Sequence, residues 1–66
     1  MNVKIIYDQD ENEFIAFVPG IVGITGFGET EEQSILSFLY QCKNETIFNQ
    51  KIINTLISKI ENETQL

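Results

Sequence analysis

An α+β domain is the fold class that these 66 residues predict, on three observations. The first half carries short runs of alternating β-branched and aromatic residues divided by turn-forming clusters. All four glycines and the single proline lie between Pro19 and Gly28, where the pattern changes from strand-like to helical. Beyond that point the apolar residues recur at spacings of three and four, the period of an amphipathic helix. Together they predict a three-stranded antiparallel meander followed by two helices, in the order β-β-β-α-α, as a single domain over residues 1–66.

Val3, Ile5 and Tyr7 alternate with Asn2, Lys4 and Ile6, which gives the first strand. Asp8 to Asn12 is a polar hairpin loop, because Asp and Asn bond their own backbone and tolerate left-handed conformations. The second strand, residues 13–18, puts Phe14, Ala16 and Val18 on one side and Ile15 and Phe17 on the other. Both of its faces are apolar, so the second face requires a cover, either the second helix or another chain. Pro19-Gly20 then breaks the strand and turns it into a third, residues 21–27. There Gly23 and Gly26 space Ile21, Val22, Ile24, Thr25 and Phe27, the pattern of a backbone that is closely approached or bulged.

Thr30-Glu31-Glu32-Gln33 has the form of a capping box, in which the Thr30 hydroxyl accepts from the Gln33 N–H and the Gln33 amide returns to the Thr30 N–H. The first helix is therefore expected to start at Glu31, with Glu29, Glu31 and Glu32 complementing its dipole and Lys43 doing so at the far end. Its stripe is Ile35, Leu36, Phe38, Leu39 and Cys42. After a break at 44–46 a second helix is expected over 47–61, with Ile47, Phe48, Ile52, Ile53, Leu56, Ile57 and Ile60 on one face. That stripe reads as a seam against the sheet or a symmetry mate, and Ile52, Ile53, Leu56, Ile57 and Ile60 are its candidate oligomer interface. Residues 62–66 are expected to fray.

A domain this small buries only roughly 60% of the surface its unfolded chain exposes. With 42% hydrophobic residues, the surplus apolar surface predicts a homodimer or higher homo-oligomer. Four lysines stand against ten carboxylates, a net charge of -6, so direct binding of nucleic acid is not expected, and the acidic balance suits either a merely solvated surface or a basic partner protein. The single Cys42 fits a reducing compartment, and Met1 to Lys4 leads into strand residues instead of a leader-like apolar core. No apolar run reaches the roughly 20 residues of a membrane span, and the expected location is the cytoplasm.

Catalytic and ligand-holding motifs fail on inspection. Asp8-x-Asp10-x-Asn12 opens like a calcium loop, but Glu13 stands where Gly is needed and Pro19 where the bidentate Glu is needed. Glycines 20, 23, 26 and 28 precede a helix start, yet no Gly-Lys-Ser/Thr follows and Glu29, Glu31 and Glu32 would repel a phosphate. Histidine is absent, Cys42 lies on an apolar stripe with no base to activate it, and Tyr7 and Tyr40 fit as rim residues. The expectation is a protein that is not an enzyme, with no cofactor and no metal.

Tyr7-Asp8, a polar turn, Phe14-Ile15-Ala16-Phe17, and then Pro19-x-x-x-Gly23-x-x-x-x-Gly28-x-Thr30-x-Glu32 resemble the HicB-like antitoxin domain over about residues 3 to 42. Gly20 and Val22 stand where that family has an acidic residue and a second proline, and Gln33 and Ser34 where it has Glu and Ala. The resemblance implies a module that neutralises a small basic ribonuclease toxin by docking on it. Because one amphipathic helix follows in place of the family's DNA-binding domain, operator binding is not expected. The candidate partner-binding residues are the hairpin tip, Asp8, Asp10 and Glu11, with Ile24, Phe27, Glu29 and Glu32. The competing reading is a stand-alone homo-oligomeric binding protein, such as a phage or mobile-element inhibitor that captures a host defence protein or a small signalling ligand.

Overall fold

A computed structural model describes residues 2–64. Strands β1 (Lys4–Asp8), β2 (Glu13–Phe17) and β3 (Gly26–Gly28) form one antiparallel sheet in the order β1-β2-β3, followed by helices α1 (Glu31–Cys42) and α2 (Gln50–Thr64). This is the expected α+β class and element order. The polar stretch between Asp8 and Glu13 closes the β1–β2 hairpin, with Asp8 opposite Glu13. Asp8 Oδ1 accepts the Asp10 N–H at 2.9 Å, and Asn12 takes φ 54, the left-handed conformation that Asn tolerates.

The third strand is shorter than the expected 21–27. Pro19 and Gly20 occupy the middle of a turn closed by the Ile21 N–H on the Val18 carbonyl at 3.1 Å, and Gly20 has φ 90. Proline at the second place and a positive-φ glycine at the third define a type II turn. Gly23 adds a second left-handed residue at φ 91, so extended backbone resumes only at Gly26. Between them Val22 is left in solvent and Ile24 is turned into the core.

Register fixes the two faces of the sheet. Ile5, Ala16 and Gly26 form one row across the strands, and Tyr7, Phe14 and Gly28 the next. Helix α1 lies on this face. A Cβ at Gly26 would run into the Ser34 carbonyl and the Phe38 backbone, and one at Gly28 would come within 2.6 Å of the Ser34 nitrogen. Both glycines thus let the helix backbone approach the strand. Residue alternation sends Lys4 and Phe17, the row Ile6, Ile15 and Phe27, and then Asp8 and Glu13, to the opposite face.

Helix α1 begins at the expected Glu31, with Thr30 as N-cap: its Oγ1 accepts the Gln33 N–H at 3.1 Å. The return arm differs, since Gln33 Oε1 accepts the N–H of Glu29, at 2.9 Å, where Thr30 was expected. Helix α2 begins at Gln50, three residues later than expected. Asn49 caps it, its Oδ1 accepting the N–H groups of Lys51 and Ile52 at 3.0 and 3.3 Å. Gln50 ties the helices together by donating to the carbonyls of Cys42 and Glu45 at 3.1 and 2.9 Å. At its other end α2 continues to Thr64, beyond the expected 61; Gln65 and Leu66 lie outside the described residues.

The core is Ala16, Ile24, Phe38, Leu39, Cys42, Ile53 and Ile57, with Val3, Ile5, Val18, Ile21, Ile35, Leu36, Phe48, Leu56 and Ile60 packed around it. Every strand residue in this set belongs to the α1 side of the sheet. Ser34 is also buried and donates its hydroxyl to the Glu31 carbonyl at 2.7 Å. The molecule measures 34 × 33 × 17 Å, and the short dimension is one sheet and one layer of helix.

Candidate functional site

Antiparallel pairing brings distant acidic residues to one end of the molecule. The β1–β2 hairpin turns at that end, so Asp8, Asp10, Glu11 and Glu13 lie there. Strand β3 runs toward it, with Phe14 opposite Gly28, and Glu29 follows immediately. Helix α1 starts from the same end, adding Glu31 and Glu32 in its first turn. Seven of the ten carboxylates are thereby placed at one end. No lysine falls within these segments: Lys4 begins β1 at the other end of the sheet, Lys43 caps the C-terminus of α1, and Lys51 and Lys59 belong to α2.

Of the candidate partner-binding residues, Asp10, Glu11, Glu29 and Glu32 are exposed and meet at this acidic end. Asp8 is half-buried and has a structural task, since its Oδ1 also faces the Glu11 N–H at 3.4 Å. Phe27 is 50% exposed on the outer sheet face, one residue short of the turn into Glu29. Ile24 does not join them. The left-handed Gly23 redirects the chain before it, and Ile24 is a core residue with 5% of its surface accessible. Glu13 and Glu31 were absent from the candidate set, although the hairpin pairing and the first-turn position gave grounds for both.

The candidate oligomer seam on α2 is used largely within the chain. Ile53 and Ile57 are core residues, and Leu56 and Ile60 pack partly buried against them. A side chain already buried in its own chain has no surface left for a second one. Ile52 remains outside at 53% exposure and helps line a largely apolar hollow of about 340 Å³ with Val18, Ile21, Ile47, Phe48 and Ile53, to which Asn2 and Asn49 add polar groups.

A second surface emerges where the sheet faces away from the helices. Ile6, Ile15 and Phe27 form a row across all three strands, and Phe17 adjoins Ile15 on the same face. Ile6 and Phe27 are half exposed, and none of the four packs on the core. Ile15 and Phe17 were expected to need a cover; α2 does not supply it, because it packs on α1. Ile6 was overlooked, yet its parity with Ile15 across a short hairpin was the signal that would have found it.

Reactive groups are few. Cys42 is buried at the end of α1, and burial, followed by the nearby Glu45 carboxylate, pushes its thiol above the ordinary value. Tyr40 lies on the surface, donating its hydroxyl to Glu61 Oε2 at 2.6 Å, with the Lys43 ammonium 5.4 Å from its ring centre. The hydrogen bond to Glu61 is the main cause that raises the Tyr40 phenol. Among the described residues, no group of three or more His, Cys, Asp or Glu side chains comes together to hold a metal ion. No helix among them is long and apolar enough to cross a membrane. Comparison with family models, with curated proteins and with solved structures finds no match to this chain.

Proposed function

We propose that the chain is a protein-binding module that docks a small basic protein on its acidic end, as its resemblance to HicB-like antitoxins implies. One observation carries this reading: residues 8–13 and 29–32, far apart in sequence, meet at one end and bring seven carboxylates there, with no lysine among these residues. A one-signed surface of this kind accelerates encounter with a cationic partner and repels acidic ones. It also presents to a ribonuclease the charge that its RNA substrate presents. Phe27, half exposed beside the carboxylates, supplies an apolar anchor, since charge alone gives on-rate and specificity more than lasting affinity. Inhibition in this scheme is occlusion, for which the chain needs no reacting group of its own.

The test is co-expression with the product of a small basic reading frame adjoining this one. The reading predicts that the two products purify as a complex and that the chain relieves any growth arrest the basic product causes. Separate elution, with the arrest unrelieved, would overturn it.

A further inference from the structure

We propose that the outer face of the sheet binds a second copy of this chain, with the two-fold axis running across the strands between two stacked sheets. A sheet face that meets water carries polar residues at alternate positions. Here the centre of the face is Ile6, Ile15, Phe17 and Phe27, and neither helix covers it. Two antiparallel sheets stacked at about 10 Å would close such a face from both sides.

Charge selects the occupant and the orientation. The face is bipolar, not uniformly acidic: Lys4 lies at one end, and Asp8 with Glu13 at the other, roughly 14 Å away at the rise of a strand. A uniformly basic partner would meet Lys4 with repulsion. A second copy turned end for end meets it with attraction, because Lys4 of each chain then falls over Asp8 of its partner, with the partner's Glu13 one strand away, once on each side of the axis. The same rotation sends the two acidic hairpin ends to opposite poles of the dimer. A two-fold axis running along the strands would instead stack seven carboxylates on seven, which a chain of net charge -6 resists. The face is roughly 14 by 17 Å. At roughly 240 Å² of plane per chain it falls below the roughly 1,000 Å² in total of a stable specific interface, so the dimer is a weak, reversible one. This inference does not depend on the basic partner: the dimer covers Phe27 and pairs Asp8 and Glu13 but leaves Asp10, Glu11, Glu29, Glu31 and Glu32 free at each pole, so anchoring of a basic partner on Phe27 would compete with it.

Sedimentation velocity over a range of protein concentrations tests it on the full chain. The expected result is a reversible monomer–dimer equilibrium. Ile6→Lys with Phe27→Lys should remove the dimer while far-UV circular dichroism stays that of the wild type, since neither side chain packs on the core. Ile6→Ser with Phe27→Ser, which brings no charge to the axis, should remove the dimer as well, so that its loss is not merely repulsion between added lysines. Lys4→Glu should weaken association at least tenfold, and Glu13→Lys placed in the same chain should restore it. Wild-type protein that stays monomeric at millimolar concentration would overturn the proposal. So would a dimer that persists with Ile6→Lys and Phe27→Lys, and a folded Lys4→Glu variant with unchanged association would overturn the orientation.

Discussion

A methyl group at position 26 would occupy the space taken by the Ser34 carbonyl and would lie 2.8 Å from Phe38 Cβ. Because most of that obstruction is helix backbone, the neighbours cannot rotate aside. Gly26→Ala should therefore destabilise the fold by about 3 kcal/mol, the upper end of the overpacking range, measured as a fall in the urea midpoint at constant slope. Gly26 was legible in the sequence as a glycine in a strand that something approaches. Ile24, two residues earlier, was not: it was grouped with Phe27 as an exposed residue of a continuous third strand, and the left-handed φ of Gly23 breaks that strand and turns Ile24 inward. Cys42 carries a prediction in pH. Its thiol is raised in the folded chain, so between the ordinary thiol value and the folded one the native state holds more protons than the unfolded state. The resulting stabilisation is complete below the ordinary value and is lost as pH rises through the folded one. Urea midpoints of wild type and Cys42→Ala should accordingly draw together on the alkaline side.

At the scale of elements, caps decided where helices begin. Thr30 was readable because its partner Gln33 sits three residues on, and α1 starts where that signal put it. Asn49 is an equally good N-cap, but the apolar pair Ile47 and Phe48 continues the helical spacing upstream and hides it. Periodicity alone extends a helix through any apolar residue in phase, whereas the chain obeys the side-chain oxygen that satisfies the first free N–H groups. Asn49→Ala should cost about 1 kcal/mol, and Asn49→Asp should retain most of that stability; thermal unfolding of the two variants checks it. The α2 stripe was visible as a stripe. Its counterpart was not, since the spacing of Ile53, Leu56, Ile57 and Ile60 is the same whether the facing surface is α1 or another chain.

Across the whole molecule, the layering follows from where apolar residues and glycines fall. Glycines at 26 and 28 open one sheet face to α1, and α2 packs beside α1 instead of behind the sheet. The opposite face therefore stays apolar and uncovered, a conclusion half reached from Ile15 and Phe17 and completed by the register that adds Ile6 and Phe27. The acidic end was harder to see. The charges of residues 8–13 and 29–32 are plain in the sequence, but their meeting depends on β2 pairing with β3 at Phe14 and Gly28, and on α1 starting where β3 stops. The proposed docking function lies at that end, and its most direct test is a calorimetric titration of the chain against the proposed basic partner at two salt concentrations. Wild type should bind less tightly at the higher salt, as screening weakens attraction between exposed charges. Glu11→Lys with Glu29→Lys, both outside the helix, should lower affinity at least tenfold. An affinity indifferent to salt and to both reversals would contradict the claim that the carboxylates recognise the partner.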